Sequence, residues 1–193
     1  MNSILPDQVN ELIKNRRSIF PKSYIDKPIP KEIIEQILEN ANWAPTHKLT
    51  EPWRFKVFRG EAKNQFGLLL ADLYKENTPT EKFKEMKFNK TSKKAKQSDT
   101  IIAICMQRDP KESLPEWEEI AAVGCAVQNM YLTCSAYDIG AYWSSPGTIK
   151  YLKESLGLKE GERCLGLFYM GYHQMPKIEG MRRPIGEKVV WVE

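Results

Sequence analysis

Two unbroken apolar stretches constrain this chain more than any other feature. Residues Thr100 to Met106 and Cys164 to Gly171 contain no charge, and each is flanked by polar sequence. Runs of this length are short for helices and too apolar for strands with one wet face, so they read as strands buried on both sides. A sheet containing them needs helices to cover it. The spacing of Ile33, Ile34, Ile37, Leu38 and Ala41 after Pro30 supplies one, and it must end before Pro45. Ala62, Phe66, Leu69, Leu70 and Leu73 supply a second. Pro115 to Tyr137 supplies the longest, with Trp117, Ile120, Ala121, Gly124, Val127, Gln128, Tyr131 and Leu132 at helical intervals.

The weaker elements fill in around these. Pro6 and Asp7 open a first helix that carries Val9, Leu12 and Ile13 and ends at Arg16, Arg17 and Ser18. Trp53 to Phe58 alternates as a strand ending at Gly60, and a short strand ends at Trp143. A helix is expected from Ile149 to Leu156, stopped by Gly157, and a last β-prone piece from Val189 to Val192. Helices and strands mix without strict βαβ alternation. The fold class is therefore α+β, with a central mixed or antiparallel sheet flanked by helices, in a single domain over 1–193.

Composition narrows the function. At 193 residues, 41% hydrophobic and 28% charged, the chain is an ordinary globular one. No apolar run approaches the ~20 residues of a membrane helix, and Met1 to Asn10 lacks the regions of a signal peptide. Cys105, Cys125, Cys134 and Cys164 are scattered, and three of them sit in apolar surroundings, which suits buried thiols in a reducing, cytoplasmic compartment. The net charge is +4, but residues 82 to 96 hold seven lysines and one Glu, leaving −2 on the other 178 residues. Arg is absent from that segment and only Phe83 and Phe88 interrupt it. It reads as a solvated helix face or a mobile loop in preference to a nucleic-acid surface, with attraction of a dinucleotide phosphate as the lesser alternative. Only His47 and His173 are available for metal chemistry, and no Cys/His cluster has zinc spacing. There is no Gly-x-Ser-x-Gly elbow, no Gly-x-Gly-x-x-Gly and no P-loop. The reactive group of an enzyme built on this chain is expected to come from a cofactor, and no catalytic side chain is assigned.

Three segments then stand out. In Asn15-Arg16-Arg17-Ser18, adjacent guanidinium groups and a hydroxyl suit bidentate phosphate binding, although a surface charge pair at a helix end would look the same. Trp43 to Phe55 concentrates two Trp, Thr46, His47, Lys48 and Glu51 between prolines, which a plain turn rarely does; this is a site reading. Gly140 to Gly147 ends a strand in Trp143, Ser144, Ser145 and Pro146, where backbone and hydroxyl donors could face a polar ring edge or merely cap the next helix.

Together these segments resemble the nitroreductase family, and more closely its compact branch of short FMN-dependent oxidoreductases. The resemblance runs over nearly the whole chain. It rests on Arg16-Arg17-Ser18, on Ala44 to Lys48 with Glu51-Pro52-Trp53, on the helix after Trp117, on Gly140 to Ser145, and on the tail from Arg182-Arg183-Pro184 to Trp191. It implies a homodimer whose C-terminal extension packs on the partner, with two FMN sites built from both chains. Arg16, Arg17 and Ser18 would hold the phosphate, the ribityl chain or the ring edge, and Trp143, Ser144 and Ser145 would lie along the flavin. Trp43, Thr46 and His47 would approach it, with Trp43 and His47 coming from the other chain, and Arg182 or Arg183 would reach the phosphate. Trp43 stands where the family often has Arg or another polar residue, which would narrow the pocket. The implied activity passes hydride from NADH or NADPH through non-covalent FMN to a small conjugated acceptor such as a nitroaromatic or quinone. A flavin carrier or sensor without efficient turnover is the alternative.

Overall fold

The two apolar stretches occupy the middle of a four-stranded sheet. The computed structural model describes residues 5–177 and 179–193; Met1 to Ile4, the start of the segment screened above for a signal peptide, lie outside them. In chain order the main elements are α1 (Pro6–Asn15), α2 (Lys31–Asn42), β1 (Trp53–Arg59), α3 (Gly60–Glu76), α4 (Glu85–Gln97), β2 (Thr100–Gln107), α5 (Glu116–Ala136), β3 (Ile139–Ser144) and β4 (Glu162–Tyr172). The strand order is β1-β2-β4-β3 and every pairing is antiparallel. The apolar strands β2 and β4 are therefore the inner pair, as their lack of a polar face requires.

Each face of the sheet has its own core. On one, Ile34, Ile37 and Ala41 of α2 and Val123, Ala126, Val127 and Met130 of α5 pack on Ile102, Ile104, Phe168 and Met170. On the other, Phe66 and Leu70 of α3, Ala95 of α4, Leu152 and Leu156 meet Ile101, Ala103, Leu167 and Tyr169. The fold is α+β in three layers. Fully burying one of these aliphatic side chains contributes roughly 1.5–3 kcal/mol.

Several local expectations need correcting. The strand expected to end at Gly60 stops at Arg59, and Gly60 opens α3 directly, its φ of +53° making the sharp strand-to-helix change that a side chain would resist. The segment from Ile149 to Leu156 is not an α-helix. A 3₁₀ turn covers Gly147–Tyr151, and Leu152 and Leu156 still reach the core through irregular backbone. So short a piece between Gly147 and Gly157 gains too few hydrogen bonds to repay helix nucleation. The tail from Val189 to Val192 forms no strand in the chain. At the β3 edge, the place beside Ala141 is already taken by Ser18, which makes a parallel bridge there. The lysine-rich segment is mostly helix α4, a solvated face and not a loop. No helix of the described residues is long and apolar enough to cross a membrane.

Candidate functional site

The first group of site residues assembles around Tyr131. Arg16 ends α1: its N–H donates to the Leu12 carbonyl at 3.1 Å while its own backbone turns extended. The chain then runs beside β3, where Ser18 bridges Ala141 and the Ile19 N–H donates to the Ala141 carbonyl at 2.9 Å. Tyr24 fixes this stretch, with its hydroxyl 2.7 Å from the Ile19 carbonyl and 3.0 Å from that of Tyr169. Burial holds the Tyr24 phenol protonated well above its ordinary range. Gly140 and Gly171 leave room for its ring, since a Cβ at either would lie 2.6–2.8 Å from it.

With the strand so placed, the Arg16 guanidinium lies over the Tyr131 ring, 5.2 Å from its centre. The hydroxyl of the same Tyr131 accepts the Trp143 N–H at 2.6 Å. Arg17 donates to the carbonyls of Lys14 at 2.6 Å and Arg16 at 2.8 Å. The tail backbone at Gly180 sits directly on that guanidinium, where a Cβ would collide. Among the described residues Arg16 forms no ion pair with a carboxylate. Trp143 lies in a slot above Gly166 that a Cβ would fill, and its indole N–H is buried without an acceptor. Leaving such a donor unsatisfied costs about 1–3 kcal/mol. Side chains alternate along β3, so Ser144 turns to the opposite face from Trp143 and lines a cavity of about 440 Å³ with Pro146 and Gly147. Ser145 is exposed beyond the strand end.

The second group lies elsewhere. Trp43 follows α2 and is 78% exposed, its indole N–H donating to Glu39 Oε1 at 2.9 Å. The Thr46 hydroxyl accepts the Glu51 N–H at 3.1 Å. The loop holds Lys48, Leu49 and Glu51 at φ of 52°, 52° and 42°, a left-handed conformation that costs side-chain-bearing residues about 1–3 kcal/mol each and recurs at functional sites. Its anchors are on the entry to α5. His47 Nδ1 lies 2.6 Å from Glu118 Oε2, so Nδ1 carries the proton and Nε2 faces away, and Lys48 Nζ donates to the Ser113 carbonyl at 3.0 Å. Tyr131 is thirteen residues further along α5 than Glu118, roughly 20 Å at 1.5 Å per residue. One chain does not bring His47 to the Arg16 cluster.

Arg182 and Arg183 stand in the exposed tail. Arg182 donates to the Met181 carbonyl at 2.8 Å, and the Arg183 carbonyl accepts from Lys188 Nζ at 2.9 Å. Tyr131 and Glu118 were missed by the sequence reading. Both sit at helical positions whose outward signal is packing or a solvated charge.

The arrangement offers a guanidinium without a carboxylate partner among the described residues, next to the stretch in which Ser18 bridges the edge strand β3, whereas the Trp143 indole N–H is turned inward against Gly166 of β4. Such a cation suits an anionic group, as the phosphate of FMN would be. No group of three or more His, Cys, Asp or Glu that could hold a metal exists among the described residues.

Comparison with known proteins supports the same outline. The nitroreductase family model matches residues 13–172. YfhC of Bacillus subtilis, named as an NAD(P)H nitroreductase, is 29% identical over 93% of this chain and 92% of its own length. YdjA of Escherichia coli K12, similarly named, is 27% identical over 86% of this chain and 88% of its own. A nitroreductase-like protein of Bacillus cereus superposes with a TM-score of 0.82 at 27% identity, covering 100% of this chain and 99% of that one. A nitroreductase of Desulfovibrio desulfuricans solved in complex with FMN gives 0.72 at 25% identity, covering 99% of both chains. With a matched segment that takes in the Arg16 cluster, the His47 loop and the whole sheet, this chain belongs to the nitroreductase family.

Proposed function

We propose that the protein is an FMN-dependent oxidoreductase that passes hydride from NAD(P)H through non-covalently bound FMN to a small conjugated acceptor, a nitroaromatic, quinone or similar electrophile. Donor and acceptor visit the same site in turn. The observation that carries the reading is the Arg16 guanidinium set over Tyr131, which also holds the Trp143 backbone, with no carboxylate partner for Arg16 among the described residues. When bound, FMN supplies the two-electron chemistry. Arg16 and Arg17 would hold its phosphate, Ser18 its ribityl chain, and the end of β3 its ring, with Trp143 on one face of the strand and Ser144 on the other and Ser145 just beyond it. Arg182 or Arg183 would close over the phosphate.

The working unit in this reading is a homodimer. Trp117, Ile120, Ala121, Cys125 and Gln128 form an outward face of α5, and Trp117 is 67% exposed. Val190, Trp191 and Val192 in the tail are 84–93% exposed. Apolar groups left this bare suit a partner surface. The roughly 20 Å along α5 between His47 and the Arg16 cluster fits a site completed by the partner's His47 and Trp43. Four free cysteines suit a reducing cytoplasmic setting.

The test is spectroscopic. Purified protein should be yellow, or become so with added FMN, and release the pigment on acid or heat denaturation. Arg16→Ala should weaken FMN binding about ten- to hundredfold, the worth of a charge-assisted bond of about 1.5–3 kcal/mol, and leave riboflavin binding unchanged. A protein that takes up no FMN in titration would sink the proposal.

A further inference from the structure

Two of the cysteines face each other in the middle of the sheet. Strands β2 and β4 run antiparallel, and Cys105 is the direct partner of Cys164. The pairing exists because of an irregularity. From Thr100 to Ile104 the register advances evenly and ends with Ile104 opposite Gly166, so Leu165 should be next. It is skipped: β4 bulges there, and Cys105 meets Cys164 instead. A slip of one residue turns a side chain to the other face of a sheet. Leu165 accordingly packs against the core under α2 and α5, whereas Cys164 joins Cys105 in the core under α3. Without the bulge the two thiols would lie on opposite faces. Directly opposed residues of antiparallel strands hold their Cβ atoms about 4.5–5.5 Å apart. A disulfide needs about 3.5–4.5 Å, so closure asks for an approach of roughly 1 Å, at a point where the ladder is already irregular.

The two sulfurs are also unequal. Cys105 is fully buried, and Cys164 keeps 8% of its surface exposed near the start of β4. The Cys105 thiol is placed to donate to the Cys164 sulfur, a contact that lowers the Cys164 thiol from its ordinary value and raises that of Cys105. The sulfur with access to solvent is thus the better thiolate. The other cysteines lack this arrangement. Cys134 is buried on the opposite face, where its thiol donates to Met170 Sδ at 3.6 Å and burial pushes it up. Cys125 is exposed on α5.

We propose that Cys105 and Cys164 form a peroxide-sensitive modification site that closes reversibly into a cross-strand disulfide. This does not depend on the FMN reading above. The Cys164 thiolate attacks one oxygen of hydrogen peroxide and breaks the O–O bond. The hydroxide that leaves takes up the thiol proton as water, and Cys164 becomes a sulfenic acid. The Cys105 sulfur then attacks that of Cys164, and its proton departs with the sulfenic oxygen as a second water. In total two thiols lose two electrons to one peroxide. In a reducing compartment such a bond is transient and serves sensing. Closure locks the bulge whose Gly166 underlies the Trp143 indole.

The test treats the folded protein with hydrogen peroxide, blocks the remaining thiols with iodoacetamide and maps tryptic peptides without reductant. Cleavage after Arg108 and Arg163 leaves the two cysteines on separate peptides. The map should show these peptides joined, lighter than their sum by two hydrogen atoms, and dithiothreitol should separate them. Cys164→Ser should abolish the linked species and leave Cys105 a free thiol. Cys105→Ser should stop Cys164 at the sulfenic acid, which dimedone traps. Should a serine variant not fold, the wild-type map decides alone. Two free thiols after peroxide treatment of the folded protein overturn the proposal. So does Cys164 carried to sulfinic acid without any link, or a link that forms only in urea.

Discussion

The Asp109 carboxylate accepts hydrogen bonds from Ser113 Oγ at 2.5 Å, Ser113 N at 3.0 Å and Lys111 N at 3.2 Å. It thereby ties the turn that feeds α5. The same turn presents the Ser113 carbonyl to Lys48, and its Arg108 pairs with the buried Glu119 of α5. These bonds, the Ser113 hydroxyl first, lower the Asp109 carboxyl to about 2. A carboxyl depressed from its ordinary value of about 3.9 adds stability above that value and loses it as pH falls toward 2. Asp109→Asn should therefore lower the melting temperature at pH 7, and the gap from wild type should close between about pH 4 and pH 2. Equal melting temperatures at pH 7 would show that the turn holds without this carboxylate. At this scale the sequence was informative where unusual residues crowd together. The loop around His47 stands out because Trp, His, Lys and Glu rarely share a plain turn, and its backbone holds three left-handed residues. Tyr131 was invisible because its role depends on Ser18 lying beside Ala141, a pairing between segments more than 120 residues apart.

At the scale of elements, periodicity identified α2, α3, α5 and the inner strands because their burial is set by the helix or strand repeat itself. It failed for Ile149 to Leu156, where two leucines reach the core without a helix to carry them, and for Val189 to Val192, whose β-propensity is not used within the chain. The packing of α4 against α3 was also beyond it. Gly67 of α3 lies so close to α4 that a Cβ would collide with that of Ala95, and the Ser92 carbonyl stands 3.4 Å away. This contact seats the lysine helix, helped by Lys63, whose ammonium donates to the Ser98 carbonyl at 2.6 Å just past the α4 C-terminus. Gly67→Ala should push α4 outward at a cost of about 1–3 kcal/mol, the usual penalty for overpacking. Urea unfolding would measure that loss, and hydrogen exchange should show faster exchange confined to α4. A fully stable variant with unaltered exchange would mean that the two helices can separate slightly without consequence.

At the scale of the whole molecule, the geometry divides the candidate site in two. Arg16 and the Trp143 backbone meet at Tyr131 of α5, and His47 is clamped by Glu118 near the other end, roughly 20 Å away along the helix. No side-chain movement closes that distance, and the His47–Glu118 bond would have to break first. In the proposed dimer a second copy supplies what the first lacks, and the exposed face of α5 and the bare tail residues Val190 to Val192 are the surfaces that would be covered. An interface of that kind is expected to bury above about 2,000 Å². Because only the assembled dimer would then bind FMN, added FMN should raise the melting temperature by mass action. Complementation is the sharper test. Arg16→Ala and His47→Ala are each prepared as inactive proteins, mixed in equal amounts and allowed to exchange subunits. If sites are shared across a twofold axis, each mixed dimer carries one site with both lesions and one with neither. Random pairing makes half the dimers mixed, so about a quarter of wild-type activity should return. If both residues served the site of their own chain, every site would keep one lesion and the mixture would stay inactive, even with exchange demonstrated by differently tagged subunits.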